Sequence, residues 1–154
     1  EVKKFLKKKN IKIIFEPGRS IIGDTAVLIS KIIYIKKSAN KKFVILDAGM
    51  NDLMRPALYG AKHQIVPLKK SNKKITGNIE FVGPICENSD KFLSKTTFPK
   101  IEEQDYVCLT HVGAYGMSLS SNYNIRPTVA EIMVSGSKHK LIKKRQNLKD
   151  LIKN

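Results

Sequence analysis

Six short apolar runs, at residues 27–36, 41–47, 63–68, 74–82, 106–112 and 128–134, are separated by turn-forming groups such as Ser38-Ala39-Asn40 and Ser71-Asn72-Lys73. Runs of this kind, closed by Ser and Asn, suit strands rather than helices. Between them only 20–24 and 53–59 offer short helical pieces, and no further helical run of about 10–15 residues intervenes. Regularly spaced strands with few helices predict an antiparallel β-sandwich or barrel, so the chain is read as mainly β. Leu141 and Ile142 suggest a last strand or turn, and Leu148, Leu151 and Ile152 a short closing helix.

The N-terminus has a different grammar. Val2, Phe5 and Leu6 stand at i, i+3 and i+4 among lysines, which predicts an amphipathic helix over 2–9 with Asn10 as its stop. Residues 11–15 form a short apolar strand that runs directly into Glu16-Pro17-Gly18-Arg19. Helix, strand and a Gly-bearing turn at the strand's C-terminal end is the pattern of a (β/α) barrel, whose chemistry lies at that face. Residues 1–19 are therefore read as the last helix and strand of such a barrel, and 20–154 as a separate β-domain.

The net charge of +16 raises the question of nucleic acid. Of 29 basic residues only four are Arg (Arg19, Arg55, Arg126 and Arg145), so 25 are Lys. The lysines are spread along the chain and no RNA-binding aromatic motif lies among them, so they read as solvated surface and no nucleic-acid partner is expected. No stretch approaches the ~18 uninterrupted apolar residues of a membrane span. Cys86 and Cys108 lack metal-site spacing, and His63, His111 and His139 do not complete one, so no metal is expected. Two unpaired thiols suit a reducing, cytoplasmic setting.

The scarcity of Arg gives its positions weight. A guanidinium grips a carboxylate or phosphate with two parallel hydrogen bonds, which an ammonium cannot do. Arg19 lies in Glu16-Pro17-Gly18-Arg19-Ser20 and Arg55 in Arg55-Pro56-Ala57-Leu58-Tyr59, where Arg and Tyr four residues apart would share a face of one helical turn. Gly83-Pro84-Ile85-Cys86-Glu87 presents a thiol and a carboxylate side by side on a Gly-Pro turn. Gly113-Ala114-Tyr115 offers a phenol after two small residues, and Asn122-Tyr123-Asn124-Ile125-Arg126-Pro127 follows. Asp47-Ala48-Gly49-Met50-Asn51-Asp52 reads as a structural turn between strand and helix.

In this order, the segments resemble the C-terminal half of the diaminopimelate decarboxylase family, pyridoxal 5'-phosphate enzymes of the alanine-racemase-like fold type. The resemblance spans nearly the whole chain. The family's N-terminal barrel and its cofactor-anchoring lysine have no counterpart here, so a fragment, inactive alone, is expected.

The resemblance implies roles for particular residues. Glu16, Pro17, Gly18 and Arg19 would close one side of the cofactor pocket, with Gly18 letting backbone N–H groups approach the phosphate. Arg19, Arg55 and Tyr59 would bind the distal carboxylate of meso-diaminopimelate, and Glu87 its distal ammonium. Tyr115 would meet the phosphate or the substrate. Cys86 would return a proton to Cα from across a homodimer interface. An ordinary thiol, with a pKa of ~8.5, still carries its proton at pH 7. Asn88 departs from the family's usual Ser or Thr. The downstream Arg126 segment reads as fold and interface.

The implied reaction converts meso-2,6-diaminopimelate to L-lysine and CO2. Ornithine- and arginine-type decarboxylases share the thiol turn, but their substrates lack a second carboxylate, so paired binding arginines would have no target. Carboxynorspermidine decarboxylase remains an enzymatic alternative. A non-catalytic β-domain acting in dimerisation is the alternative of a different class.

Overall fold

The computed structural model describes residues 2–7 and 11–152. Eight strands and four short helices follow in the order α1 (Val2–Leu6), α2 (Arg19–Ile22), β1 (Leu28–Ser38), β2 (Lys41–Leu46), α3 (Arg55–Tyr59), β3 (Ile65–Pro67), β4 (Lys74–Val82), β5 (Lys91–Pro99), β6 (Tyr106–Leu109), β7 (Glu131–Ser135), β8 (Lys138–Lys143) and α4 (Leu148–Ile152). Six strands form one sheet in the order β3-β6-β1-β2-β4-β5, while β7 and β8 pair as a separate hairpin.

The long strand β1 gives the sheet its curl. Leu28 to Lys31 pair with β6, whereas Ile32 and the residues from Tyr34 to Ser38 pair with β2, and a bulge lies between Ile32 and Tyr34. A bulge bends its strand and increases the twist, so one strand serves two halves of a barrel-like sheet. Alternate residues then point inward: Val44 and Leu46, Ile79 and Phe81, Val107 and Leu109 are all buried. They meet Ile65 from one edge strand and Phe98 from the other in a single core, where the Phe81 and Phe98 rings lie 4.8 Å apart.

Three expectations need correction. The strand expected at 11–15 does not form: residues 11–18 have no regular structure, and Ile14 and Phe15 are exposed. An apolar run becomes a strand only where a neighbour completes its hydrogen bonds, and no described strand pairs with it. The sheet is not wholly antiparallel, because β2 pairs in parallel with β4. The connection 47–73, which carries α3 and β3, is long enough to return the chain to the starting end, as a parallel pairing requires. Finally, β5 was not foreseen. Its centre, Ser94 to Thr97, is polar and exposed because it forms an edge of the sheet. Of the helix expected over 2–9, Val2–Leu6 is observed, and its Asn10 stop lies outside the described residues.

Candidate active site

Arg55 is the first residue of α3 and is buried, 9% exposed. Pro56 suits the first turn of a helix, where its missing N–H costs nothing. Gly60, at φ +63, ends the helix in the left-handed conformation that glycine adopts without strain, and its N–H donates to Pro56 O. The chain therefore doubles back, and His63 comes to rest against Arg55. The Arg55 Nη1 to His63 Nε2 distance is 3.3 Å, and His63 Nδ1 lies 2.9 Å from Thr110 O at the end of β6.

No described carboxylate forms an ion pair with Arg55, and its Nε is buried without a hydrogen-bond partner. A buried charge left in that condition is costly unless something neutralises it. Its guanidinium carbon lies 5.9 Å from the centre of the Tyr115 ring, within cation–π range. Tyr115 itself is half-exposed and sits at φ +62, an unusual conformation for a bulky residue and one that gathers at functional sites. A cleft of about 300 Å³ opens beside Arg55, lined by Arg19, Asp24, Arg55, Lys62, His63 and His111. Cationic groups outnumber its single carboxylate, and Asp24 is already 3.5 Å from His111.

The structure thus brings Arg19, Arg55 and Tyr115 to one region. Tyr59, the last residue of α3, is 65% exposed, and no hydrogen bond joins it to Arg55. Glu16, Pro17 and Gly18 are exposed just before α2. Nothing lies within 4 Å of the position a Gly18 Cβ would take, so the backbone there is open to a ligand.

Cys86 and Glu87 belong to a second cluster. Both are exposed on the turn between β4 and β5, and Glu87 lines another cleft with Phe43, Glu80 and Lys91. Asp90 organises this turn. Its Oδ2 accepts the Ile85 N–H at 2.8 Å and its Oδ1 accepts the Met50 N–H at 2.7 Å. A Cβ on residue 83 would fall 2.2 Å from that carboxylate, which explains a glycine at Gly83. Burial pushes the Asp90 carboxyl above its ordinary pKa, while the two backbone N–H groups and Arg126 pull it back.

Arg126 fastens the same region: its Nε donates to Asn51 Oδ1 at 2.9 Å, its Nη2 donates to the Asp47 carbonyl, and Asp52 lies 3.8 Å away. Asp47 to Asp52 is a structural turn as expected, and Arg126 is one of its anchors. Cys108, in β6, is buried, and burial raises its thiol pKa.

Two participants went unrecognised in the sequence. In the sequence His63 stands only as a histidine without metal-site spacing, because a single histidine eight residues after an Arg carries no signal of its own. Asp90 carries no signal in the sequence beyond lying four residues after Cys86. The Gly83-to-Asp90 interval, a turn that must exclude a Cβ at its start, was the available clue.

Residues 21–113 match the family model described as the pyridoxal-dependent decarboxylase C-terminal sheet domain. The diaminopimelate decarboxylase of Zymomonas mobilis is 46% identical over 152 residues, covering 99% of this chain and 36% of that protein. Its counterpart in Helicobacter pylori is 45% identical over 142 residues, covering 92% of this chain and 35% of the relative. A crystal structure of the M. jannaschii enzyme in complex with L-lysine superposes with a TM-score of 0.88 at 37% identity, over 98% of this chain and 35% of that one. The chain spans about a third of the length of the curated relatives it matches.

Proposed function

Since the chain belongs to the pyridoxal-dependent decarboxylases, whose C-terminal sheet domain it matches, we propose that it serves as the C-terminal portion of an enzyme that converts meso-2,6-diaminopimelate to L-lysine and CO2. The observation that carries the substrate assignment is the buried Arg55 guanidinium, unpaired with any described carboxylate and facing a cleft it shares with Arg19. A substrate with a second carboxylate supplies the missing partner. Lysine- or ornithine-like substrates do not.

The residues present suit the cofactor that this family uses. The Glu16-Pro17-Gly18-Arg19 turn is open and exposed, and Tyr115 is half-exposed beside Arg55, so both can face an anionic phosphate. Pyridoxal phosphate, when bound, supplies the electron sink that lets CO2 leave an amino-acid Cα. The protein's own residues do the rest. Arg19, Arg55 and Tyr59 hold the distal carboxylate, Glu87 takes the distal ammonium, and these contacts direct the other amino-acid centre to react. Cys86 then gives its thiol proton to Cα as general acid.

Glu87 lines a different cleft from Arg55, and Cys86 stands next to it on the same exposed turn, which supports a homodimer in which each chain lends its thiol turn to the partner's site. The cytoplasm is the compartment proposed, in keeping with the free thiols of Cys86 and Cys108.

The deciding variant is Arg55→Lys in the complete enzyme that carries this chain. Replacing a two-pronged donor with a point charge removes at least one charge-assisted hydrogen bond, roughly 1.5–3 kcal/mol, or about ten- to hundredfold in kcat/KM for meso-diaminopimelate. Pyridoxal phosphate absorbance should persist. Loss of the cofactor with unchanged substrate dependence would assign Arg55 to the cofactor instead.

A further inference from the structure

Arg55 is held by a histidine rather than by an acid, and the hydrogen bonds of that histidine fix its form. A guanidinium can only donate, so the 3.3 Å contact makes His63 Nε2 the acceptor. The Thr110 carbonyl can only accept, so Nδ1 carries the proton at the 2.9 Å contact. One ring nitrogen accepts and the other donates: the imidazole is neutral. It is also 2% exposed, so water cannot substitute for either bond. Burial favours the same neutral form, as do the neighbouring charges of Arg55 and His111.

A neutral anchor has a consequence that an acidic one lacks. A carboxylate at this position would orient Arg55 equally well, but it would neutralise the guanidinium and compete with an incoming anion. The imidazole occupies Nη1 and leaves the full positive charge of the guanidinium for a ligand. Arg55 would otherwise be tethered only through its own helix and the weak contact with Tyr115.

We propose that His63 is a positioning residue for recognition of the substrate's distal carboxylate, orienting Arg55 through Nη1 without neutralising it. The inference rests on the proposed role of Arg55. It requires that any replacement both accept from Arg55 and remain uncharged. Gln meets that condition, because its amide oxygen can accept from Nη1 and its NH2 can donate to Thr110 O. Leu fails to accept, and Glu accepts but neutralises.

The test compares His63→Gln, His63→Leu, His63→Glu and Arg55→Lys in the complete enzyme. The readouts are KM and kcat for meso-diaminopimelate, and inhibition by L-lysine against cadaverine, its counterpart without a carboxylate. His63→Gln should stay within about twofold of wild type. His63→Leu and His63→Glu should raise KM and weaken L-lysine inhibition about tenfold, with kcat and cadaverine inhibition little changed. If Arg55→Lys shows these losses and His63→Leu and His63→Glu do not, the role of His63 is overturned and that of Arg55 stands. If Arg55→Lys also leaves carboxylate discrimination intact, both readings fall. Should His63→Leu not fold, Gln against Glu decides, and equal KM values for those two overturn the proposal.

Discussion

Replacing Asp90 with Asn should loosen the turn that carries Cys86 and Glu87, by an amount the hydrogen bonds allow to be worked out. Both carboxylate oxygens accept backbone N–H groups, from Met50 at 2.7 Å and Ile85 at 2.8 Å. An Asn of the same shape has one oxygen and one NH2, so one of those N–H groups must face another donor. A hydrogen bond to a charged group contributes about 1.5–3 kcal/mol, and an orphaned buried donor costs about 1–3 kcal/mol more. Removing the charge relieves part of the burial penalty that pushes the Asp90 carboxyl upward, which offsets some of this loss. The expected net destabilisation is about 2–3 kcal/mol, or roughly 4–12 °C in Tm for a chain of this size. Thermal unfolding of the isolated chain measures the total. Amide hydrogen exchange at Met50 and Ile85 locates it, since those two N–H groups should exchange faster than the β4 amides. A Tm within about 1 °C of wild type, with both amides still protected, would refute the reasoning.

Acidification should weaken the fold through His63, whose pKa burial holds below its ordinary value. The unfolded chain takes up the proton first, so stability falls as pH drops below ~6.5 and levels off beneath the folded pKa. Arg55, Arg19, Lys62 and His111 line the same cleft as the ring, with Asp24 the one carboxylate among them. Urea unfolding of wild type and His63→Gln between pH 8 and 5 isolates this effect, and parallel profiles would remove it. In the complete enzyme, Arg55→Met and Cys86→Ala subunits should each be nearly inactive alone. Mixed with subunit exchange, they should regain about half the wild-type activity per heterodimer, because one site then draws intact Arg55 and Cys86 from different chains. Verified heterodimers as inactive as their parents would place both residues in one chain's service.

Much of this was legible from the residues. Strand β4 begins and ends where the apolar run 74–82 does, and α3 falls within the segment 53–59. Those elements are fixed locally, by side-chain period and by the Pro56 and Gly60 that bracket the helix. Strand β5 was not legible, because Lys91–Pro99 owes its conformation to β4 beside it rather than to its own pattern. Residues 11–15 were misread for the converse reason: the apolar run is present but the neighbour that would make it a strand is not among the described residues. At the site, Arg19 and Arg55 stood out because Arg is scarce in a lysine-rich chain, and Cys86 and Tyr115 because they sit in the Gly83-to-Glu87 and Gly113-to-Tyr115 segments that resemble the family. His63 and Asp90 did not. Their work is to hold other residues, and a holding role becomes visible only when the chain has folded and the distances exist.

The two clusters are less independent than their separate clefts suggest. Residues 47–55 reach both. Met50 N–H binds Asp90 and so steadies the Cys86 turn, while Leu53, fully buried in the core, leads directly into Arg55. Arg126 and Ser121 then tie this segment down through Asn51 and Asp47. In the proposed assignment, the backbone of one short loop therefore links the carboxylate grip that a chain keeps to the acid that it lends. In a twofold dimer those belong to different sites, so a shift in this loop would disturb the grip in one site and the proton donor in the other. That dependence gives a physical reason for the Asn51–Asp52–Arg126 polar network: in the proposed assignment the loop answers to two sites and has to be rigid, and the buried Asn51 and Asp52, bonded to each other and to the half-buried Arg126, supply that rigidity.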